Sequence, residues 1–128
     1  MPNNLTDYGE NQLLVWQLTT TAITRPTAWY LGVGTGNTDI TLTGEPSGNG
    51  YARQAVSFTV TADTATNSGA ITFGPNTTSA WGTMASVAIF DASSGGNCLW
   101  AGPLTDAKAI AVGDSLTIAI GALSVTLA

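Results

Sequence analysis

The apolar positions of this chain fall mostly in short alternating runs, and alternation marks a strand with one buried face. Trp29, Leu31 and Val33 alternate with Tyr30, Gly32 and Gly34. Val56, Phe58 and Val60 alternate with Ser57, Thr59 and Thr61, which predicts one half-buried strand leaving the glycine turn at Gly50. Ile71 and Phe73 form a further short run, and Ile40 and Leu42 bracket another. Met84 to Phe90 reads as a longer strand with Ala85, Val87 and Ile89 on one face. Leu99 to Leu104 and Ala107 to Ala111 read as two separate strands. Leu116, Ile118 and Ile120 share a face, as do Leu123, Val125 and Leu127. The parity changes across Gly121-Ala122, so a bulge or tight bend is expected there.

Polar and glycine-rich stretches separate these runs. Gly44 to Gly50 is a loop, Ala62 to Gly69 a polar connection and Gly74-Pro75-Asn76 a turn. Ser94-Gly95-Gly96-Asn97 is a hairpin signal. One stretch near the start has helical spacing instead. Asp7 and Glu10 make a capping-box-like start, and Leu13, Leu14, Trp16 and Leu18 supply an apolar stripe. A helix over about 7–18 is only three turns long and marginal alone, so it must dock on the sheet or on a neighbouring subunit. The pattern predicts a mainly β chain: one domain over residues 1–128, an antiparallel, jelly-roll-like β-sandwich with one short N-terminal helix.

Composition changes the picture in one respect. Charged residues are 9% of the 128, against roughly 25% in an average domain. The polar surface is therefore built from hydroxyls and amides, which lose little on being covered by another protein. That points to a protein that lives in an assembly. The net charge is −5, and Arg25, Arg53 and Lys108 are the only cations. A phosphate-neutralising patch for nucleic acid is excluded on that count, as is a polybasic membrane contact. The longest apolar run is too short and too interrupted to span a bilayer, and Met1-Pro2-Asn3-Asn4 does not read as a signal peptide.

Candidate chemistry is sparse. There is no histidine, which removes Ser/His and Cys/His nucleophiles and nearly all zinc sites. Cys98 is the single cysteine and reads as a small core residue. Glu45, Asp63, Asp91 and Asp114 are loop-placed carboxylates, and Asp91 and Asp114 read as turn-formers at strand ends. Gly32-Val33-Gly34-Thr35-Gly36 fits neither phosphate-binding glycine pattern. No enzyme constellation, cofactor, metal site or small-molecule substrate is expected. Trp16, Trp29, Trp81 and Trp100 could form a carbohydrate-stacking platform, but tryptophans in a small β protein more often fill a core or an interface. Arg53 has three readings open to it: a buried carboxylate or carbonyl partner, a subunit contact, or an exposed edge. Arg53, Tyr51, Trp81 and Trp16 are the candidates for structural or interface roles.

Several pieces then line up in order along almost the whole chain: Leu5-Thr6-Asp7-Tyr8 with Glu10-Asn11 and Leu13-Leu14; Gly50-Tyr51-Ala52-Arg53-Gln54-Ala55-Val56; Trp81-Gly82-Thr83; Ile89-Phe90-Asp91-Ala92 with Gly95-Gly96-Asn97; and Gly113-Asp114 with Gly121-Ala122-Leu123. In these the chain resembles a group of small phage virion proteins often labelled as tail-fibre proteins, and is also similar to small β-rich capsid decoration (cement) proteins. The strand Trp29-Tyr30-Leu31-Gly32-Val33 departs from the usual composition of the group, which affects packing rather than class. The resemblance implies a location in the virion and carries no catalytic residues. Neither heptads nor repeats supply a fibre shaft, and a decoration protein needs only a compact body, a low-charge contact face and, at most, a pinned terminus. The expectation is a capsid decoration protein that bridges capsomers, with the major capsid protein and its own copies as partners in a homotrimer. The alternative is a tail-fibre or tail-tip component involved in host attachment.

Overall fold

The computed structural model describes residues 4–127; a pinned terminus at Met1 or Ala128 falls outside them. The strands in chain order are β1 (Trp29–Gly34), β2 (Gly36–Asn37), β3 (Leu42–Thr43), β4 (Gln54–Val56), β5 (Phe58–Thr61), β6 (Thr64–Asn67), β7 (Ile71–Phe73), β8 (Gly82–Phe90), β9 (Cys98–Ile110), β10 (Leu116–Ile118) and β11 (Ser124–Thr126), preceded by helix α1 (Asp7–Leu18). The chain is mainly β and every strand pairing is antiparallel. The pairings form a four-stranded sheet in the order β4-β1-β8-β9, a three-stranded sheet β11-β6-β5, and the ribbons β10-β7 and β2-β3.

The principal core joins one face of the four-stranded sheet to the β7 and β10 ribbon. Leu31, Val33, Val56, Met84, Ile89 and Ile110 meet Ile71, Phe73, Leu116 and Ile118, with Trp81 among them. A smaller cluster of Leu42, Ala88, Phe90, Cys98 and Ala101 lies apart from it. Strand β8 contributes to both clusters, which is the pattern of a central strand covered on each face.

Several expected elements are redrawn. The run from Val56 to Thr61 is two strands in two different sheets, broken at Ser57, so its alternation serves two surfaces: Val56 is buried and Val60 is 70% exposed. The polar connection from Ala62 to Gly69 contains strand β6, paired residue for residue with β5 across a tight turn at Ala62 and Asp63. Its threonines suit a half-exposed pleat. The two strands over 99–104 and 107–111 are one strand, β9, whose irregularity appears as a register shift opposite Ala85. That bulge puts Met84, rather than Ala85, in the core with Ile89. Pro103 is tolerated in β9 because the strand lies at the sheet edge. The bend at Gly121-Ala122 is present, and it turns Ile120 outward. Asn67 staples that bend: its side-chain oxygen accepts from Leu123 N at 2.9 Å, and its amide donates to Gly69 O and Ala119 O at 2.8 and 2.9 Å.

Helix α1 forms where the capping pattern placed it, but Thr6 is the cap: its hydroxyl accepts from Gly9 N at 3.1 Å and donates to Cys98 O at 2.6 Å. The preceding residues add to the free edge of β9, with Leu5 bridged to Trp100 and Ala101 N bonded to Asn4 O at 3.0 Å. Gly9 lies so close to β9 that a Cβ there would stand 2.5 Å from Leu99 O. The expected apolar stripe is only partly covered. Gly9 is the sole fully buried helix residue, while Leu14, Trp16 and Leu18 are 56, 60 and 75% exposed. The anchor is the first turn, and the later turns leave Leu14, Trp16 and Leu18 exposed.

Candidate functional site

Two regions gather the residues singled out by their chemistry. The first is built around Arg53, on the approach to β4. Its guanidinium forms a two-pronged pair with Glu45, Nε to Oε2 and Nη2 to Oε1, both 2.9 Å. The remaining nitrogen donates to Ala92 O at 3.1 Å and Gly95 O at 2.8 Å, in the hairpin tip between β8 and β9. The plane sits 3.5 Å over the Phe90 ring, so an otherwise uncovered face of the cation meets an aromatic quadrupole. Only a planar fork can serve two carboxylate oxygens, two carbonyls and a ring together; a lysine could not.

Tyr51 continues the network. Its hydroxyl donates to Glu45 Oε2 at 2.5 Å and accepts from Val33 N at 3.2 Å. The Tyr51 ring stacks on Phe73 at 6.0 Å and meets Trp81 edge-on at 5.5 Å, and the Trp81 indole donates to Asn49 O at 3.2 Å. Gly32 of β1 makes the room: a Cβ there would lie 2.8 Å from Glu45 Oε2 and 3.1 Å from the Tyr51 hydroxyl. Partial burial pushes the Glu45 carboxyl up, but the hydrogen bonds from Arg53 and Tyr51 and the Arg53 charge outweigh it, holding it below the ordinary range. Burial, reinforced by the Glu45 carboxylate, drives the Tyr51 phenol far above its usual value. The cluster ties the 44–50 loop, β1 and the 91–97 tip together. Its groups satisfy one another, which suits a clamp rather than a reactive centre.

Arg53, Tyr51 and Trp81 are therefore neighbours, and Trp16 stands elsewhere, on α1. Glu45 and Phe90 are the partners that sequence reading did not assign. The signal available was charge scarcity: Arg53 needs a partner, and Glu45 lies eight residues before it. Cys98 is buried, and burial pushes its thiol up to about 11. Asp91 accepts from Asn97 N at 2.7 Å and Asp114 from Ala111 N at 3.1 Å, so both close turns. Among the described residues no group of three or more Cys, Asp or Glu could hold a metal ion, and no helix is long and apolar enough to cross a membrane.

The second region is a groove of about 390 Å³ between α1, the 23–26 connector and the β9 edge. Trp16, Trp29 and Trp100 line it, with Tyr8, Gln12 and Arg25. The suggested four-tryptophan platform is thus divided: Trp81 is in the core at 8% exposure, and the other three converge.

A β scaffold with polar groups turned on one another and a low-charge exterior is the build of a structural component, and the chain is a structural protein of the phage virion. It belongs to the family described as podophage GP4 fiber I protein gp80, whose model matches residues 4–126. No curated protein matches it.

Proposed function

We propose that this chain is a structural subunit of the virion's fibre apparatus, joined to its neighbours through the outer side of helix α1. The observation that carries the reading is the helix itself. Gln12, Leu13 and Trp16 line the groove, while Leu14 and Leu18, one turn apart on another face, are 56 and 75% exposed. A helix apolar on more than one side is the kind that a partner covers. The family's description as a fiber protein supports the same assignment.

A second reading, a capsid decoration protein bridging capsomers, is supported by the shape of the described body, whose strands mostly run two to four residues and build no shaft. In either reading the partners are copies of this chain, expected as a homotrimer, and a neighbouring virion protein, which in the decoration reading is the major capsid protein. The mechanism is mechanical: contact area is added to an assembly and opposes its dissociation.

Localisation decides between them. Gold-labelled antibody on intact virions, with copy number from quantitative gel densitometry, should place the chain at the tail in few copies. Hundreds of copies spread over the head would replace the fibre assignment with the decoration one.

A further inference from the structure

We infer that the groove beside helix α1 is a binding site for a carboxylate-bearing saccharide, with Trp16, Trp29 and Trp100 as stacking surfaces and Arg25 as the anion contact. The inference deepens the fibre reading without depending on it, because the site belongs to the chain wherever in the virion the chain sits.

Three observations carry it. Three of the protein's four tryptophans line one groove. Flat indole faces suit the C–H face of a sugar ring, which removes apolar area from water while leaving the hydroxyl rim free to bond. The polar lining beside them is mainly neutral: Gln12 offers an amide and Tyr8 a hydroxyl, the adaptable donors and acceptors that hydroxyl groups need. A volume of about 390 Å³ falls in the range of small-molecule sites.

The charge pattern selects among sugars. The chain has eight carboxylates and three cations, yet no Asp or Glu lines this groove and Arg25 does. Among the described residues the one ion pair is Arg53 with Glu45, so no carboxylate of those residues engages Arg25. An exposed arginine at the lip of an aromatic groove, in an otherwise acidic protein, complements an anion. Its planar fork matches a carboxylate in two-pronged fashion. A neutral sugar would use the tryptophans and leave that cation idle.

Isothermal titration calorimetry of the full-length protein tests this with trigalacturonate, 3′-sialyllactose and a hyaluronan tetrasaccharide, and with methyl-esterified trigalacturonate as the uncharged counterpart. At least one acid sugar should bind saturably, and the ester should bind at least tenfold more weakly than trigalacturonate where trigalacturonate binds. Arg25→Gln should lower acid-sugar affinity at least tenfold, and Trp16→Ala should abolish binding. Both side chains are exposed, so thermal melting should confirm that each variant is folded; Trp16→Phe, which keeps an aromatic face, should recover part of the affinity. No saturable binding of any of the three acid sugars overturns the inference, as does binding that neither variant changes. If no sugar binds and Trp16→Ala lowers the sedimentation coefficient of the free protein, the groove is a contact between copies of this chain and the saccharide site falls while the structural reading stands.

Discussion

The Arg53 clamp and helix α1 use their residues in opposite ways. Around Arg53 an ion pair is drawn inward, with the two side chains 11 and 23% exposed, and every prong of the guanidinium has a partner. Along α1 the side chains of Leu14, Trp16 and Leu18 are turned outward, and the helix is fastened at its first turn, through Thr6, Gly9, the Leu5 bridge and Asp7 N on Asp39 O at 2.8 Å. The contrast teaches where each region does its work. The clamp is complete within one chain and consumes its own polar groups. The helix leaves its contact area available, which is the condition for binding something else.

The clearest way to break the comparison is Arg53→Ala. It leaves Glu45 half-buried without its cation and strips the carbonyls of Ala92 and Gly95 of a donor. Losing one partner of an enclosed pair costs about 3 kcal/mol, toward the lower end because the pair is partly hydrated; urea denaturation should show it. A change under about 0.5 kcal/mol would make the clamp an ornament. Next is Gly32→Ala, expected to cost about 2 kcal/mol by overpacking against Glu45 and Tyr51. Thr6→Val should follow at about 1–2 kcal/mol, since it removes the helix cap and leaves Cys98 O without its donor. Loss of far-UV helix signal with the β signal retained would place that damage in α1.

Titration sharpens the same contrast. The Glu45 carboxyl is depressed in the fold, so the unfolded chain binds the proton more readily. Its contribution is present above the unfolded value of about 4.3 and is lost as pH falls through the lower folded value. Denaturation midpoints should therefore drop below about pH 4, and Glu45→Gln should flatten that drop. The smallest stability effect is expected at the other region: Leu18→Ser should change stability by under about 0.5 kcal/mol while weakening virion attachment. A large destabilisation would mean that the helix serves its own chain after all.

Much of the architecture was legible in advance. Period-two alternation located β1, β7, β8 and β10, because a strand with one buried face must alternate. The capping pattern found α1, and the parity change found the bend at Gly121. Pairing partners were not legible. Val56 and Phe58 lie on one unbroken alternation, but only tertiary pairing sends the first to β1 and the second to β6. The threonine-rich segment 64–67 looked like a connector because its pleat carries few large apolar groups. The irregularity opposite Ala85, where Leu104 to Ala107 of β9 face one residue of β8, was legible only as a break between two strands, because a bulge and a strand end look alike without the partner.

The sequence by itself determined a mainly β protein with one short helix, few charges and no histidine chemistry, since periodicity and composition are local properties that need no neighbour to be read. Which rare residues meet is not local. Glu45, Tyr51, Phe90 and the 91–97 tip converge on Arg53 only when β1, β4 and β8 have paired. The same holds for the tryptophans, which alternation and counting leave as a group of four. Folding buries Trp81 and sets the other three along one groove, because the antiparallel pairing of β9 with Leu5 brings the helix back over its edge.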